Sequence, residues 1–115
     1  MRIEMLKSKI HRATITGADL EYTGSVSIDP ALCEAVGLRG YEKVDVLDID
    51  NGARLTTSVI LGGPGEICHN GAAARLVHKG DRVIIVSYAQ LDESEADEFR
   101  PQIVLVDEDN RVTKR

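Results

Sequence analysis

The Gly24-Ser25 pair is the part of this sequence that could carry out the most unusual chemistry. As a structural element the pair predicts a turn, because glycine reaches backbone angles that other residues avoid and serine is a common turn residue. As a reactive element it could break its own peptide bond, since the Ser25 hydroxyl can attack the Gly24 carbonyl carbon and form an ester. Glycine has no side chain to block that attack, and the reaction needs a nearby group that stabilises the oxyanion. The two residues alone leave both interpretations open, and turn statistics favour the first.

A second set of candidates lies on the predicted strand that follows the Asn51-Gly52 turn. Arg54 is either an exposed arginine beside a turn, which is the more common case, or a bidentate partner for a carboxylate. Thr57 and Ser58 are neighbours on a strand, so their side chains point to opposite sides and only one can face a given pocket, unless the strand is bulged. Either hydroxyl could equally reflect β-propensity or exposure to solvent.

A basic segment, "KSKIHR" at residues 7–12, stands out because the net charge of the chain is −5. If Lys7, Lys9 and His11 lie on one strand, they point to the same face. That face is either solvated, which the composition favours, or an anion-binding site. The acidic balance of the whole chain argues against a nucleic-acid partner and gives no support for binding to anionic membranes.

The segment "NGAAA" at residues 70–74 joins a predicted strand to a predicted helix. Its small residues would let a ligand approach backbone N–H groups, although an asparagine N-cap followed by good helix formers explains the pattern equally well. His69 and His78 have no companions with metal-ligand spacing and are interpreted as structural or exposed. Cys33 and Cys68 are too few and too far apart for a metal motif, so no metal is expected.

Length and composition predict one domain with a lean core. The chain has 115 residues, of which 43% are apolar and only 3% aromatic, so the core must consist mainly of Val, Ile, Leu and Ala. Contacts between copies could add burial that a small monomer lacks. The sequence has no signal peptide and no apolar run that could span a membrane, so we expect a cytoplasmic protein with reduced thiols.

Residue patterns predict many short strands with two or three small helices, which indicates a compact, mainly β barrel. Residues 3–15 predict one long strand, with a break over residues 17–24. Residues 81–91 are the most apolar run and predict a central, fully buried strand. The remaining predicted elements are a helix from Asp29-Pro30 to Gly37, a hairpin at Asn51-Gly52, a short helix within 72–78, and an acidic helical turn over 92–100 that Pro101 ends.

Several segments occur in an order that is similar to a known family: "MLKSKIHRATITGADLEYTGSVSID", "NGARLTTSVI", and "NGAAAR" followed by "GDRVIIVSYA". From Met5 to Val112 the chain resembles the pyruvoyl-dependent aspartate 1-decarboxylases of pantothenate biosynthesis. The "ADLEYTGS" and "NGAAAR" segments together are specific. The resemblance implies a double-psi β-barrel with a few short helices, in a single decarboxylase domain over residues 1–115 that assembles as a homotetramer.

The Gly24-Ser25 pair matches the self-processing site of that family. Cleavage would give a β chain of residues 1–24 and an α chain of residues 25–115. The Ser25 ester would undergo β-elimination to dehydroalanine, and hydrolysis would leave an N-terminal pyruvoyl group as the cofactor. This ketone would form a Schiff base with L-aspartate, act as an electron sink while CO2 leaves, and release β-alanine.

Other site residues are carried over position by position from the same resemblance. Thr57 matches the residue that stabilises the oxyanion during processing and also touches substrate. Lys9 and Arg54 match the cationic positions that the two carboxylates of aspartate require, and His11 lies beside them. The remaining substrate-binding positions are Tyr22, near the processing turn, and the loop formed by Asn70, Gly71, Ala72 and Ala73.

Ser58 is where the chain departs from the family, which usually has a tyrosine that is regarded as the proton donor to the carbanion. Serine is shorter by the phenol ring and is a poorer acid. We assign Ser58 to the catalytic set and leave four consequences open: water fills the gap, another group donates the proton, activity is low, or the substrate differs.

Three hypotheses therefore stand side by side. The leading one is a self-processed lyase that makes β-alanine. The second is a self-processing homologue with an altered substrate or weak activity because of Ser58. The third is a non-enzymatic barrel in which Gly24-Ser25 is a plain turn. The need for an accessory maturation protein is left open in all three.

Overall fold

The computed structural model describes residues 1–19 and 24–115, apart from the side chains of Ala73 and Ala74. Within these ranges the chain is mainly β, as predicted, with nine strands and three short helices. The strands are β1 (Arg2–Thr14), β2 (Gly17–Asp19), β3 (Ser25–Ile28), β4 (Lys43–Asp48), β5 (Arg54–Leu61), β6 (Ile67–Asn70), β7 (Arg82–Asp92), β8 (Gln102–Val106) and β9 (Val112–Lys114). The helices are α1 (Pro30–Val36), a 3-10 helix (Gly71–Arg75) and α2 (Glu93–Ala96).

All the strands belong to one sheet in the order β2-β6-β3-β5-β4-β7-β1-β8-β9. Three neighbouring pairs are parallel, namely β2 with β6, β3 with β5, and β1 with β8, and the others are antiparallel. The order brings the β4–β5 hairpin beside β7 and β1, which are distant from it in sequence. Among the described residues no pairing joins β2 to β9, so the closed double-psi barrel stays a prediction.

The core consists of aliphatic side chains, as the composition predicted. Five different strands each contribute a side chain with 0% exposure: Ile10, Val26, Val46, Val59 and Ile85. Complete burial of a side chain of this kind is worth about 1.5–3 kcal/mol. These contacts hold together the strands that carry the candidate site residues.

Strand β1 confirms the long N-terminal strand but is irregular at two places. Its pairing with β7 shifts register at Lys7 and again at Arg12, which has a φ of 66°. Lys7 is the extra residue of the first bulge, and its Nζ donates at 2.7 Å to the Glu42 carboxylate. The prediction that Lys7 shares a face with Lys9 and His11 is therefore wrong, because the bulge takes Lys7 out of the alternation.

Helix α1 begins and ends where the sequence predicted. Asp29 accepts a hydrogen bond from the Ala31 backbone N–H at 2.8 Å, and Pro30 occupies the first turn. Gly37 ends the helix with a φ of 73°, the left-handed conformation that glycine adopts readily. The second carboxylate oxygen of Asp29 accepts from the Gly65 N–H at 2.8 Å, so the same cap also holds the loop before β6.

The predicted hairpin at Asn51-Gly52 is confirmed between β4 and β5. The last ladder pair is Leu47 with Arg54, and Gly52 has a φ of 77°. The Asp48 carboxylate accepts from the N–H groups of the two residues that enter the turn. Local hydrogen bonds therefore fix the end of the sheet at which Arg54 begins β5.

Other predictions needed correction. The predicted break over residues 17–24 contains the short strand β2, whose parallel partner β6 is distant in sequence. The helix predicted within 72–78 is a 3-10 helix that ends at Arg75. Strand β7 is central but not fully buried. Ser87 is only 1% exposed, whereas the next residue, Tyr88, is 48% exposed, because the ladder with β4 ends at Val86.

The acidic helical turn is confirmed as α2, which begins with a capping box between Asp92 and Glu95. It ends at Ala96, however, so Pro101 is not what ends it. In the described part of the chain, every helix is too short or too polar to cross a bilayer.

Candidate functional site

Ser25, the predicted processing residue, lies at the first position of β3 in a strained conformation. Its φ is 127°, in the positive region that residues with a side chain rarely adopt, and only 3% of its surface is exposed. Such a backbone state costs of order 1–3 kcal/mol. A Cβ built on Gly24 would meet no described atom within 4 Å, so packing does not require glycine there. The structure thus combines stored strain at Ser25 with a Gly24 that the described residues leave uncrowded.

Asn70 contacts the Ser25 hydroxyl directly. The two residues are paired across β3 and β6, and Asn70 Nδ2 donates to Ser25 Oγ at 3.3 Å. The same amide donates to Ser27 Oγ at 3.1 Å. Asn70 is 3% exposed, so its position is set by the fold rather than by solvent.

A cavity of about 340 Å³ opens beside Ser25. This volume is at the lower end of the range for sites that bind small molecules. Its lining contains five residues that the sequence analysis assigned to processing or substrate binding. The complete lining is Gly24, Ser25, Leu55, Thr56, Thr57, Asn70, Ala72 and Leu76.

Thr57 and Ser58 separate as the strand alternation predicted. Thr57 is half-buried on β5 and lines the Ser25 cavity, whereas Ser58 does not line it. Ser58 is paired with Lys43 of β4 and is in phase with Arg54 along the strand. The structure therefore brings Thr57, but not Ser58, to the cavity beside Ser25.

The predicted substrate-binding residues Lys9, His11 and Arg54 lie on another face of the sheet. His11 is paired with Ile84, and Leu47 is paired with Arg54. Ile84 is in turn paired with Leu47, and directly opposite residues project from the same face of a sheet. Lys9 is two residues from His11 on β1 and points to the same side. We call this surface, formed by Lys9, His11, Leu47, Arg54 and Ile84, the cation face.

Within one chain the cation face does not line the Ser25 cavity. Arg54 instead borders a second cavity of about 230 Å³, and Leu55 and Thr56 border both. The predicted site residues therefore form two neighbouring groups. One contains the reactive serine and its polar partners, and the other contains the positive charges.

The surroundings of His11 favour the neutral imidazole. Burial, followed by the positive charges of Lys9 and Arg12, lowers its pKa below the usual 6.5. Its Nδ1 atom is buried and has no hydrogen-bond partner among the described residues. A neutral imidazole in this position can donate or accept a hydrogen bond to a ligand but adds no charge.

The predicted substrate loop begins at Asn70 and continues into the 3-10 helix. Gly71 is buried with a φ of 66°, a conformation that favours glycine, and Ala72 is exposed at the cavity. Ala73 lies in the same helix, but its side chain is outside the description. Tyr22 falls outside the described residues altogether.

Sequence reasoning missed Leu55, Thr56 and Leu76, which line the Ser25 cavity. Thr56 also donates a hydrogen bond to the Asp45 carboxylate at 2.6 Å across β4 and β5. Period-2 alternation could have related Leu55 to Thr57. Nothing local indicated that Leu76, beyond the 3-10 helix, would reach the same cavity.

Comparison with known proteins gives a consistent result over the whole chain. The protein family described as "Aspartate decarboxylase" matches residues 1–113. An aspartate 1-decarboxylase of Lactiplantibacillus plantarum is 56% identical over 117 residues, which cover 100% of this chain and 90% of the relative. The aspartate 1-decarboxylase of Bdellovibrio bacteriovorus is 56% identical over 115 residues, covering 100% and 93%. That of Sulfurimonas denitrificans is 54% identical over 114 residues, covering 97% and 94%. These relatives share one name, so they give no support to the hypothesis of an altered substrate.

Proposed function

The chain belongs to the aspartate decarboxylase family, and from that premise we propose that it decarboxylates L-aspartate to β-alanine and CO2 for pantothenate biosynthesis. Its cofactor is proposed to be a pyruvoyl group made from Ser25 by autocatalytic cleavage at Gly24-Ser25. The observation that carries this proposal is the buried Ser25 with a φ of 127° beside a cavity. A plain turn would not need a strained serine whose hydroxyl is held by a buried amide.

In the proposed cleavage, Ser25 Oγ forms a bond to the Gly24 carbonyl carbon and the carbon–nitrogen bond breaks. The hydroxyl proton moves to the freed amino nitrogen, so an ester replaces the amide. Loss of the peptide bond would relieve the backbone strain at Ser25. Asn70, 3.3 Å from Oγ, would orient the hydroxyl, and Thr57 in the same cavity would stabilise the oxyanion. β-Elimination and hydrolysis would then complete the α chain.

A pyruvoyl group at position 25 would supply the electron sink for the charge that decarboxylation leaves behind. The side chains would bind and orient aspartate around it. Lys9 and Arg54 would pair with the two carboxylates, and neutral His11 would add a hydrogen bond. Ser58 stays a candidate proton donor, acting directly or through water, from a position in phase with Arg54 on β5.

We propose that a second copy of the chain completes the substrate site. The support is the separation of the cation face from the Ser25 cavity within one chain. The cation face also exposes Leu47 and Ile84 in part, and such apolar side chains gain from contact with another subunit. A homotetramer, which the family resemblance implies, would bring the two surfaces together. A reducing, cytoplasmic setting agrees with the free thiols of Cys33 and Cys68.

Intact mass measurement of the purified chain tests the proposal. We expect two species that correspond to residues 1–24 and to a pyruvoyl-bearing 25–115. Borohydride added with L-aspartate should attach a reduced amine adduct to the larger species. Ser25→Ala should abolish cleavage, adduct formation and β-alanine production.

Ser27→Ala is the matched control for this experiment. Ser27 accepts from the same Asn70 amide, 3.1 Å away, but lies two residues past the proposed cleavage site. This variant should cleave and form the adduct as the wild type does. A single uncleaved mass that persists on prolonged warming, or cleavage that survives in Ser25→Ala, would refute the proposal.

A further inference from the structure

Three aspartates meet at the end of the sheet near the β4–β5 turn. Asp48 ends β4, Asp50 lies in the turn, and Asp81 precedes β7. One carboxylate oxygen from each lies within 4.8 Å of the other two. The spacing of Cys and His residues in the sequence does not indicate this group, because its members are aspartates and Asp81 comes from a distant segment.

Backbone N–H groups hold all three carboxylates in place. Asp48 Oδ1 accepts from Asp50 at 2.9 Å and from Asn51 at 3.2 Å. Asp50 Oδ2 accepts from Arg82 at 2.8 Å. Asp81 Oδ2 accepts from His78 at 3.0 Å. Each carboxylate is thus anchored through one oxygen by a backbone N–H group.

The second oxygen of Asp48 is an independent indication that a ligand belongs here. Asp48 is only 3% exposed, and its buried Oδ2 atom receives no N–H or O–H donor among the described residues apart from the neighbouring Asp81 carboxyl. A buried carboxylate oxygen without a donor or a cation is costly, more so than a neutral polar atom. Two carboxyl groups that face each other in this way need a shared proton or a cation between them.

The chain itself supplies little positive charge to the group. Among the described residues no lysine or arginine forms an ion pair with these aspartates, and His78, exposed, lies 3.7 Å from Asp81. Burial, followed by the neighbouring Asp81 carboxyl, raises the pKa of Asp48, whereas the hydrogen bond from Asp48 lowers the pKa of Asp81. One shared proton would offset one of three negative charges, and a divalent cation would offset two.

We propose that Asp48, Asp50 and Asp81 bind a hard divalent cation, Ca²⁺ in preference to Mg²⁺. An all-oxygen site suits these ions, and Ca²⁺ tolerates irregular geometry completed by water, which enters on the exposed Asp50 side. The ion would tie the β4–β5 turn to the segment before β7. Because a cavity of about 220 Å³ joins Asp48 to Arg54, the site also borders a residue of the cation face.

Thermal unfolding of chelator-treated full-length protein, with CaCl2 or MgCl2 added, tests the proposal without using activity. We expect Ca²⁺ to bind with a Kd of about 10⁻⁴ to 10⁻³ M. At roughly ten times its Kd, Ca²⁺ should raise the apparent Tm by about 5 °C. Isothermal titration calorimetry should give one site per chain.

Asp48→Asn is the informative variant, because its amide oxygen can keep the turn hydrogen bonds while the charge is lost. It should fold and lose the Ca²⁺-dependent rise in Tm. Asp107→Asn is the control, since Asp107 makes the same kind of turn hydrogen bonds, to Asp109 and Arg111, away from the cluster. This control should keep the full response.

Two results would overturn the proposal. If about 10 mM of either cation leaves the Tm of the wild type unchanged, the aspartate cluster holds a shared proton instead of a cation. An equal rise in Asp48→Asn would mean that cations act non-specifically on a chain with a net charge of −5.

Discussion

The pairing of Ser25 with Asn70 determines how the reactive hydroxyl is presented. An amide that donates to Oγ leaves the hydroxyl proton free to move to another acceptor. Asn70 is therefore expected to orient Ser25 rather than to remove its proton. The strain at Ser25 could not be predicted from "TGSV", because it depends on where β3 meets β6.

Asn70→Ala should slow self-cleavage by about tenfold, the effect of losing an orienting hydrogen bond worth about 1.4 kcal/mol. Pulse-labelled cell-free synthesis, followed by separation of precursor and fragments, measures this rate. Circular dichroism should show the variant to be folded. An Asn70→Ala precursor that matures as fast as the wild type would remove Asn70 from the processing site.

His69, the neighbour of Asn70, makes stability depend on pH. It is 0% exposed, and neither ring nitrogen has a hydrogen-bond partner among the described residues. Burial lowers its pKa from 6.5 to about 4. The unfolded chain therefore binds more protons between these values, so the contribution of His69 to stability is most favourable above pH 6.5 and declines as the pH falls towards 4.

His69→Leu should remove this loss because leucine has no proton to bind. Because of His69, the free energy of unfolding of the wild type should be about 2 kcal/mol lower at pH 5 than at pH 7.5. The variant should not show this part of the decrease. Urea unfolding at both pH values measures the difference. His78→Leu, a change at an exposed histidine, is the control. Parallel pH profiles for wild type and His69→Leu would contradict the prediction.

At the scale of elements, the segments whose ends are set by local capping or turn residues were predictable. Asp29, Pro30 and Gly37 determined α1, and Asn51-Gly52 determined the β4–β5 hairpin, because each signal acts through neighbouring backbone groups. The exposed end of β7 and the short strand β2 were not predictable. Their burial and pairing depend on β4 and β6, which the local pattern does not specify.

Asp29→Ala should destabilise the chain by about 1–2 kcal/mol, because it removes the N-cap of α1. The loss should lie at the upper end of that range, since Asp29 also accepts from Gly65. Asp92→Ala, which removes the cap of the exposed, four-residue α2, should cost less. Urea denaturation of both variants gives the comparison, and an equal or larger loss for Asp92→Ala would contradict the prediction that the two contacts of Asp29 make it the more important cap.

At the scale of the whole molecule, the strand order explains why the residue types of the site were recognisable but their grouping was not. Lys9, His11 and Arg54 come from β1 and β5, which are connected only through β7 and β4. Residue motifs identified these three side chains, whereas the cation face exists only because of that non-local order. Its separation from Ser25 leads to a test of the assembly.

Mixed assembly of two inactive variants should restore activity if substrate sites form between copies. Ser25→Ala retains the cation face, and Arg54→Ala retains Ser25, so a site that combines the intact half of each is complete. Coexpression in equal amounts should give about a quarter of wild-type β-alanine production if subunits mix at random. The control pair, Ser25→Ala with Thr57→Ala, should stay inactive, because both residues line one cavity of one chain. If the first pair is as inactive as the second, then Arg54 acts on the Ser25 of its own chain, and the cation face must reach the cavity by a movement within the subunit.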